Sequence, residues 1–167
     1  LAEELKRQGH ECLFICREHN GHLGELIAAK GFSLHLLPVG DEAEHASSKL
    51  NWNAHATWLG VTWQQDAEQT RAILSNQPVD WLVVDHYALD IGWEQQTAEI
   101  AARIMVIDDL ADREHQCNLL LDQTFGRSAA DYRALVPDNC ELLCGSQYAL
   151  LRPEFAELRP YSLQRRQ

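Results

Sequence analysis

The chain has 167 residues, with 14 Lys or Arg against 25 Asp or Glu, for a formal net charge of −11, which argues against electrostatic binding to nucleic acid. An apolar fraction of 46% with 23% charged residues fits a folded globular domain, and at this length folding buries roughly 70% of the unfolded surface around one core. The apolar runs at 81–84 and 104–107 fall far short of the roughly 18 residues a membrane helix needs, so no membrane span is expected.

Residues 1–9, Leu-Ala-Glu-Glu-Leu-Lys-Arg-Gln-Gly, read as a helix closed by Gly9, without the cationic and apolar regions of a leader peptide. A chain that opens inside a helix predicts a strand upstream of it. Residues 12–16 form the next expected strand. Asn20 can cap a helix bearing Leu23, Leu26 and Ile27, with Gly31 as its stop. Residues 32–37 read as a second strand, halted by Pro38. A long polar stretch, 41–59, then carries Asn51, Trp52, Asn53, His55 and Trp58, a length that suggests a binding loop or short helices.

Thr62-Trp63-Gln64-Gln65 has capping-box spacing, and Trp63, Ala67, Thr70 and Leu74 keep one helical face behind it. A strand over 80–84 ends at Asp85, and Asp90 can cap a helix carrying Trp93, Thr97, Ile100 and Ala101. Two more strands are expected at 103–107 and 119–121, ending at Asp108-Asp109 and Asp122. A helix is predicted over 128–135 and a last strand over 141–144. Arg152-Pro153 and Arg159-Pro160 are expected to break the pattern, and the polar tail reads as a linker or the start of another element.

Strands that are apolar on both faces and alternate with helices predict an α/β fold, a Rossmann-like parallel sheet covered on both sides. In the Rossmann order a strand upstream of residue 1 would be central, so the sheet here is expected to lack its first strand. No G-x-G-x-x-G or P-loop motif occurs.

Five cysteines stand at 12, 16, 117, 140 and 144. The two C-x₃-C pairs lie in strand-like runs, where residues four apart are about 13 Å distant, too far to share one zinc ion. An odd count without a secretory leader also argues against a disulfide framework. Small core residues in a reducing, cytoplasmic setting is the expectation, and no metal or other cofactor is implied. His19 and His22 read as part of a solvated turn.

Three successive strands end in acids: Asp85-His86-Tyr87, Asp108-Asp109 and Asp122. The carboxyl ends of parallel strands line the ligand crevice of open α/β sheets, so these residues can border one site. Each Asp also has a plain structural use, as an Asx turn or a helix cap. His86 and Tyr87 together offer proton transfer and hydrogen bonding from one loop, although His86 serves equally well as a structural residue. Adjacent acids at 108 and 109 point apart on extended chain, which argues against a shared Mg²⁺. Phosphate handling would fall to Arg17 or to backbone N–H groups at helix starts.

The runs 8–17 (Gln-Gly-His-Glu-Cys-Leu-Phe-Ile-Cys-Arg), 58–61 (Trp-Leu-Gly-Val), 66–70 (Asp-Ala-Glu-Gln-Thr), 84–90 (Val-Asp-His-Tyr-Ala-Leu-Asp), 106–113 (Val-Ile-Asp-Asp-Leu-Ala-Asp-Arg) and 148–153 (Tyr-Ala-Leu-Leu-Arg-Pro) resemble a known family. It is that of the hydrolases releasing UDP from a 2,4-diacetamido-2,4,6-trideoxy-hexose in pseudaminic acid biosynthesis. The resemblance implies a glycosyltransferase-B-like enzyme of two domains, related to the lipid II N-acetylglucosaminyltransferase. Residues 1–155 would form most of its N-terminal domain and 156–167 the start of a linker, with a separate C-terminal domain making most UDP contacts.

The resemblance further implies a UDP-sugar substrate and metal-independent attack of water on the anomeric carbon. The family's base, a His in a Gly-rich loop after the first strand, would fall upstream of Leu1. A family active-site Tyr matches Tyr87, with His86 and Asp85 as neighbours; Arg17 and Asp109 are candidates for substrate binding. A glycosyltransferase on the same scaffold, or a module that binds nucleotide-sugar without chemistry, are the competing readings.

Overall fold

A computed structural model describes residues 1–40 and 55–165, so Asn51, Trp52 and Asn53 lie outside the described residues. The elements in chain order are α1 (Ala2–Arg7), β1 (Leu13–Arg17), α2 (Gly24–Ala29), β2 (Ser33–Leu37), α3 (Trp63–Leu74), β3 (Trp81–Val84), α4 (Ile91–Thr97), β4 (Arg103–Ile107), β5 (Leu119–Asp122), β6 (Glu141–Cys144) and α5 (Pro153–Gln164). Short 3₁₀ turns lie at Ala56–Leu59, Ala98–Ile100, Ala129–Asp131 and Ser146–Tyr148.

Every strand pairing among the described residues is parallel, as the two-faced apolar strands predict. Where one sheet was expected, the described residues form two: β1 with β2, and a four-stranded sheet in the order β3-β4-β5-β6. β1 and β3 each pair on one side only among the described residues.

The core follows from strand register. Val84 pairs with Val106, Val106 with Leu120 and Leu120 with Leu142, so one apolar row crosses all four strands. Ala67 of α3 and Trp93 of α4 join Val84, Val106 and Leu120 in the buried cluster. Each such aliphatic side chain contributes roughly 1.5–3 kcal/mol through burial. The opposite face of β3 leaves Trp81 and Val83 exposed. Covering helices were expected on both faces; at β3 only the Val84 side is covered among the described residues.

Helix starts follow their caps where the cap geometry holds. Thr62 Oγ1 accepts from the Gln65 amide at 3.2 Å, and Asp90 Oδ1 accepts from the Gly92 amide at 3.0 Å. Asn20 does not cap α2, which starts four residues further on at Gly24; Leu23 is its N-cap, and His22 Nδ1 accepts from the Gly24 amide at 3.1 Å. The helix expected over 128–135 is a single 3₁₀ turn. Ser128 and Asp131 close a reciprocal cap on one turn, and Tyr132 beyond it is drawn into the core. Pro160 does not end α5, whose first-turn Pro153 suits a position with no amide partner to lose.

Candidate functional site

The carboxyl ends of β3, β4 and β5 open into one cleft of about 370 Å³, lined by Asp85, Tyr87, Ile107, Asp108, Asp109, Gln123 and Thr124. Because the strands are parallel and adjacent, their terminal acids arrive on one side of the sheet.

The acids divide into two kinds. Asp108 and Asp122 are both buried, Asp108 in the floor of the cleft and Asp122 below it. Asp108 Oδ2 accepts from the Leu110 and Ala111 amides at 3.2 and 2.9 Å, and Oδ1 lies 2.9 Å from Arg113. Burial by itself would raise this carboxyl. The Ala111 amide, the Tyr132 hydroxyl and Arg113 outweigh burial and hold it below its ordinary value. The turn they form puts Ala111 at φ +53°, a left-handed backbone for a residue with a Cβ. Asp122 accepts from the Thr124 amide at 2.7 Å and from Arg127 Nε at 2.6 Å. Tyr132 reaches both carboxylates, at 2.7 and 2.8 Å, and burial followed by those two contacts raises its phenol.

Asp85 and Asp109 instead face the open space. Asp85 keeps solvent contact, yet the surrounding protein and then the charge of Asp109 push its carboxyl upward. The Tyr87 hydroxyl donates to Asp109 Oδ2 at 3.1 Å, and this bond, ahead of partial burial, raises the phenol. Tyr87 is 36% exposed and belongs to an aromatic group with His55 and Trp58. The His55–Trp58 centroids are 4.6 Å apart, and Tyr87 stands 5.6 Å from His55 and 5.9 Å from Trp58. Trp58, 56% exposed, presents an apolar surface beside the acids.

His86 and Arg17 do not line the cleft. His86 Nδ1 accepts from the Ala88 amide at 3.0 Å, which leaves the proton of the neutral ring on Nε2. Burial lowers its pKa, partly countered by Asp66 and reinforced by His19, Arg113 and Arg17. Arg17 is buried at the end of β1, where it donates to Asp66 at 2.5 Å, to Gln69 at 2.9 Å and to the Pro38 carbonyl. Asp66 Oδ1 also accepts from Trp93 Nε1 at 2.8 Å. The guanidinium thus ties β1 to α3.

Of the sequence candidates, the structure brings Asp85, Tyr87 and Asp109 together and sets His86 and Arg17 aside in a neighbouring ionic cluster. Sequence reasoning missed the supporting residues Arg113, Arg127 and Tyr132, and the walls Gln123 and Thr124. Only Trp58 and His55 left a signal, as aromatic residues in a polar stretch. Among the described residues no group of three or more His, Cys, Asp and Glu is arranged to hold a metal ion, and no helix is long and apolar enough to cross a membrane.

The cleft can accept hydrogen bonds through two carboxyl groups and through the Tyr87 oxygen, whose proton is held by Asp109, and can offer an aromatic surface to C–H groups. Among the described residues that line it there is no cationic side chain. A polyhydroxylated or amide-bearing molecule suits it better than a phosphate.

No family model matches the chain. Over 84 residues it is 34% identical to UDP-2,4-diacetamido-2,4,6-trideoxy-beta-L-altropyranose hydrolase from Campylobacter jejuni subsp. jejuni serotype O:2. That stretch is 50% of this chain and 30% of the relative, so the match covers well under two thirds of the relative's length.

Proposed function

We propose that this chain provides the sugar-facing wall of a nucleotide-sugar hydrolase, cleaving a UDP-linked 2,4-diacetamido-2,4,6-trideoxy-hexose at the anomeric C–O bond. The observation that carries the reading is the convergence of Asp85, Tyr87 and Asp109 on one cleft at successive parallel strand ends. The similarity to a hydrolase of that name supports it independently. In this reading residues 1–155 act as one half of a glycosyltransferase-B-like pair, and a second domain holds UDP. The open sides of β1 and β3 fit a further parallel strand between them. A cytoplasmic location goes with a nucleotide-sugar substrate.

Tyr87 is the residue assigned to substrate or the attacking water. Its phenol, protonated at neutral pH, donates its one proton to Asp109, which leaves the oxygen as an acceptor for a water or a substrate hydroxyl. Asp85, with a raised pKa, can exchange a proton nearer neutrality than an ordinary carboxyl. Catalysis of this kind consists mainly of placing water against the anomeric carbon while the leaving diphosphate is stabilised elsewhere.

The test is hydrolysis of the UDP-sugar by the full-length protein in ¹⁸O-labelled water. Cleavage of the anomeric C–O bond puts the label in the free sugar. Label in UDP would refute the proposed bond cleavage. Sugar transfer to an added alcohol in preference to water would identify a transferase, and binding without turnover would identify a non-catalytic module.

A further inference from the structure

At the opposite end of the strands, Cys117, two residues before β5, and Cys140, one residue before β6, stand with their sulfurs 3.6 Å apart. The backbones that carry them are pinned together, since the Glu141 amide donates to the Asn118 carbonyl at 2.9 Å. Cys117 belongs to the buried core, whereas Cys140 is only partly buried. A disulfide needs sulfurs about 2.05 Å apart, so an approach of roughly 1.5 Å closes the bond.

We infer that Cys117 and Cys140 form a reversible dithiol–disulfide pair, oxidised by low-molecular-weight disulfides of the glutathione class. The two thiols are not equivalent. Either sulfur can donate across the contact; contact with Cys140 and then burial raise the Cys117 thiol, and contact with Cys117 lowers that of Cys140. Cys140 is therefore the attacking sulfur, being both the more exposed and the more readily ionised.

The exchange balances in two steps. Cys140 thiolate attacks one sulfur of the small disulfide, whose S–S bond breaks, and the departing thiolate takes up the proton Cys140 released. Cys117 then attacks the Cys140 sulfur of the mixed disulfide, and the second small thiolate leaves with the Cys117 proton. Two protein thiols are oxidised, and one small disulfide is reduced to two thiols.

The ring so closed encloses Asp122, Gln123, Thr124, Arg127 and Tyr132, which form the far wall of the cleft and its support. The sulfurs themselves lie at the strand starts, about 13 Å from the strand ends where the cleft opens. Oxidation thus fastens the wall without adding anything to the site.

The experiment incubates the reduced chain with glutathione disulfide and maps peptides under non-reducing conditions. The expected product is a peptide pair joined through Cys117 and Cys140, reversed by dithiothreitol, with Tm raised by roughly 5–10 °C. Cys117→Ser is expected to keep a lasting glutathione adduct on Cys140, because its resolving sulfur is gone. A lasting adduct on Cys140 of the unaltered chain, no reaction at either residue, or a linked pair with unchanged Tm would overturn the inference.

Discussion

The hydroxyl of Tyr132 meets the carboxylate of Asp108 at 2.7 Å, on the buried side of the cleft floor. The same oxygen lies 2.8 Å from Asp122. One phenol proton is thus set between two acids, and Arg113 and Arg127 supply the compensating charge. Tyr132→Phe removes the hydroxyl shared by the two buried carboxylates, leaving Arg127, which donates to Asp122 and to the Asp109 carbonyl, to join the ends of β4 and β5. The expected cost is about 1–3 kcal/mol, the usual range for stranding a buried acceptor. Urea denaturation measures it, and faster amide exchange in residues 123–128 would show the wall loosening. A loss below about 0.5 kcal/mol, within the range of surface changes, would mean that Arg113 and Arg127 suffice alone.

Tyr87→Phe should behave in the opposite way. The side chain is partly exposed, and its bond to Asp109 crosses open space, so stability should change by no more than about 0.5 kcal/mol. In the full-length protein, turnover should fall roughly 10²-fold, with kcat more affected than KM, if the phenol positions water or substrate. Steady-state kinetics beside thermal denaturation separates the two effects. Unchanged kcat removes Tyr87 from the mechanism.

Asp66→Ala should be far more damaging, although residue 66 does not line the cleft. Arg17 is buried and its charge is met by Asp66 at 2.5 Å, while Trp93 Nε1 uses the other carboxylate oxygen. Removing one partner of a buried ion pair costs about 3–5 kcal/mol. Equilibrium denaturation checks the figure. Restoration on pairing Asp66→Ala with Arg17→Met would attribute the loss to the stranded charge.

His86 makes stability depend on pH near neutrality. Its folded-state pKa lies below the ordinary 6.5 because burial disfavours the charged ring. Below 6.5 the unfolded chain therefore binds a proton that the folded chain does not. Stability contributed by the neutral ring is complete above that pH and falls on acidification, down to the lowered folded value. His86→Asn, which can still accept from the Ala88 amide, should flatten the slope of stability on the acid side of about pH 6.5. An unchanged slope would place the acid sensitivity elsewhere.

The strands were largely legible because both-face apolar runs such as 103–107 have few other uses. Caps were legible where the side chain sits directly against the first turn, as at Thr62 and Asp90. Asn20 misled because His22 lies closer to the turn that forms. The run 128–135 misled because Tyr132 is committed to partners on β4 and β5, which periodicity cannot register. For the cleft, sequence could mark strand-ending acids but could not sort Asp108 and Asp122, both buried, from Asp85 and Asp109, facing outward. That distinction depends on Arg113, Arg127 and Tyr132, whose positions along the chain say nothing of where they fold.

The outward pair of acids also bears on which ligands the cleft admits. Compounds built to imitate a diphosphate would be repelled by the pocket beside Tyr87. An imino-sugar with a protonated ring nitrogen would be attracted to it, and more so at low ionic strength, where the Coulomb field of Asp85 and Asp109 extends further.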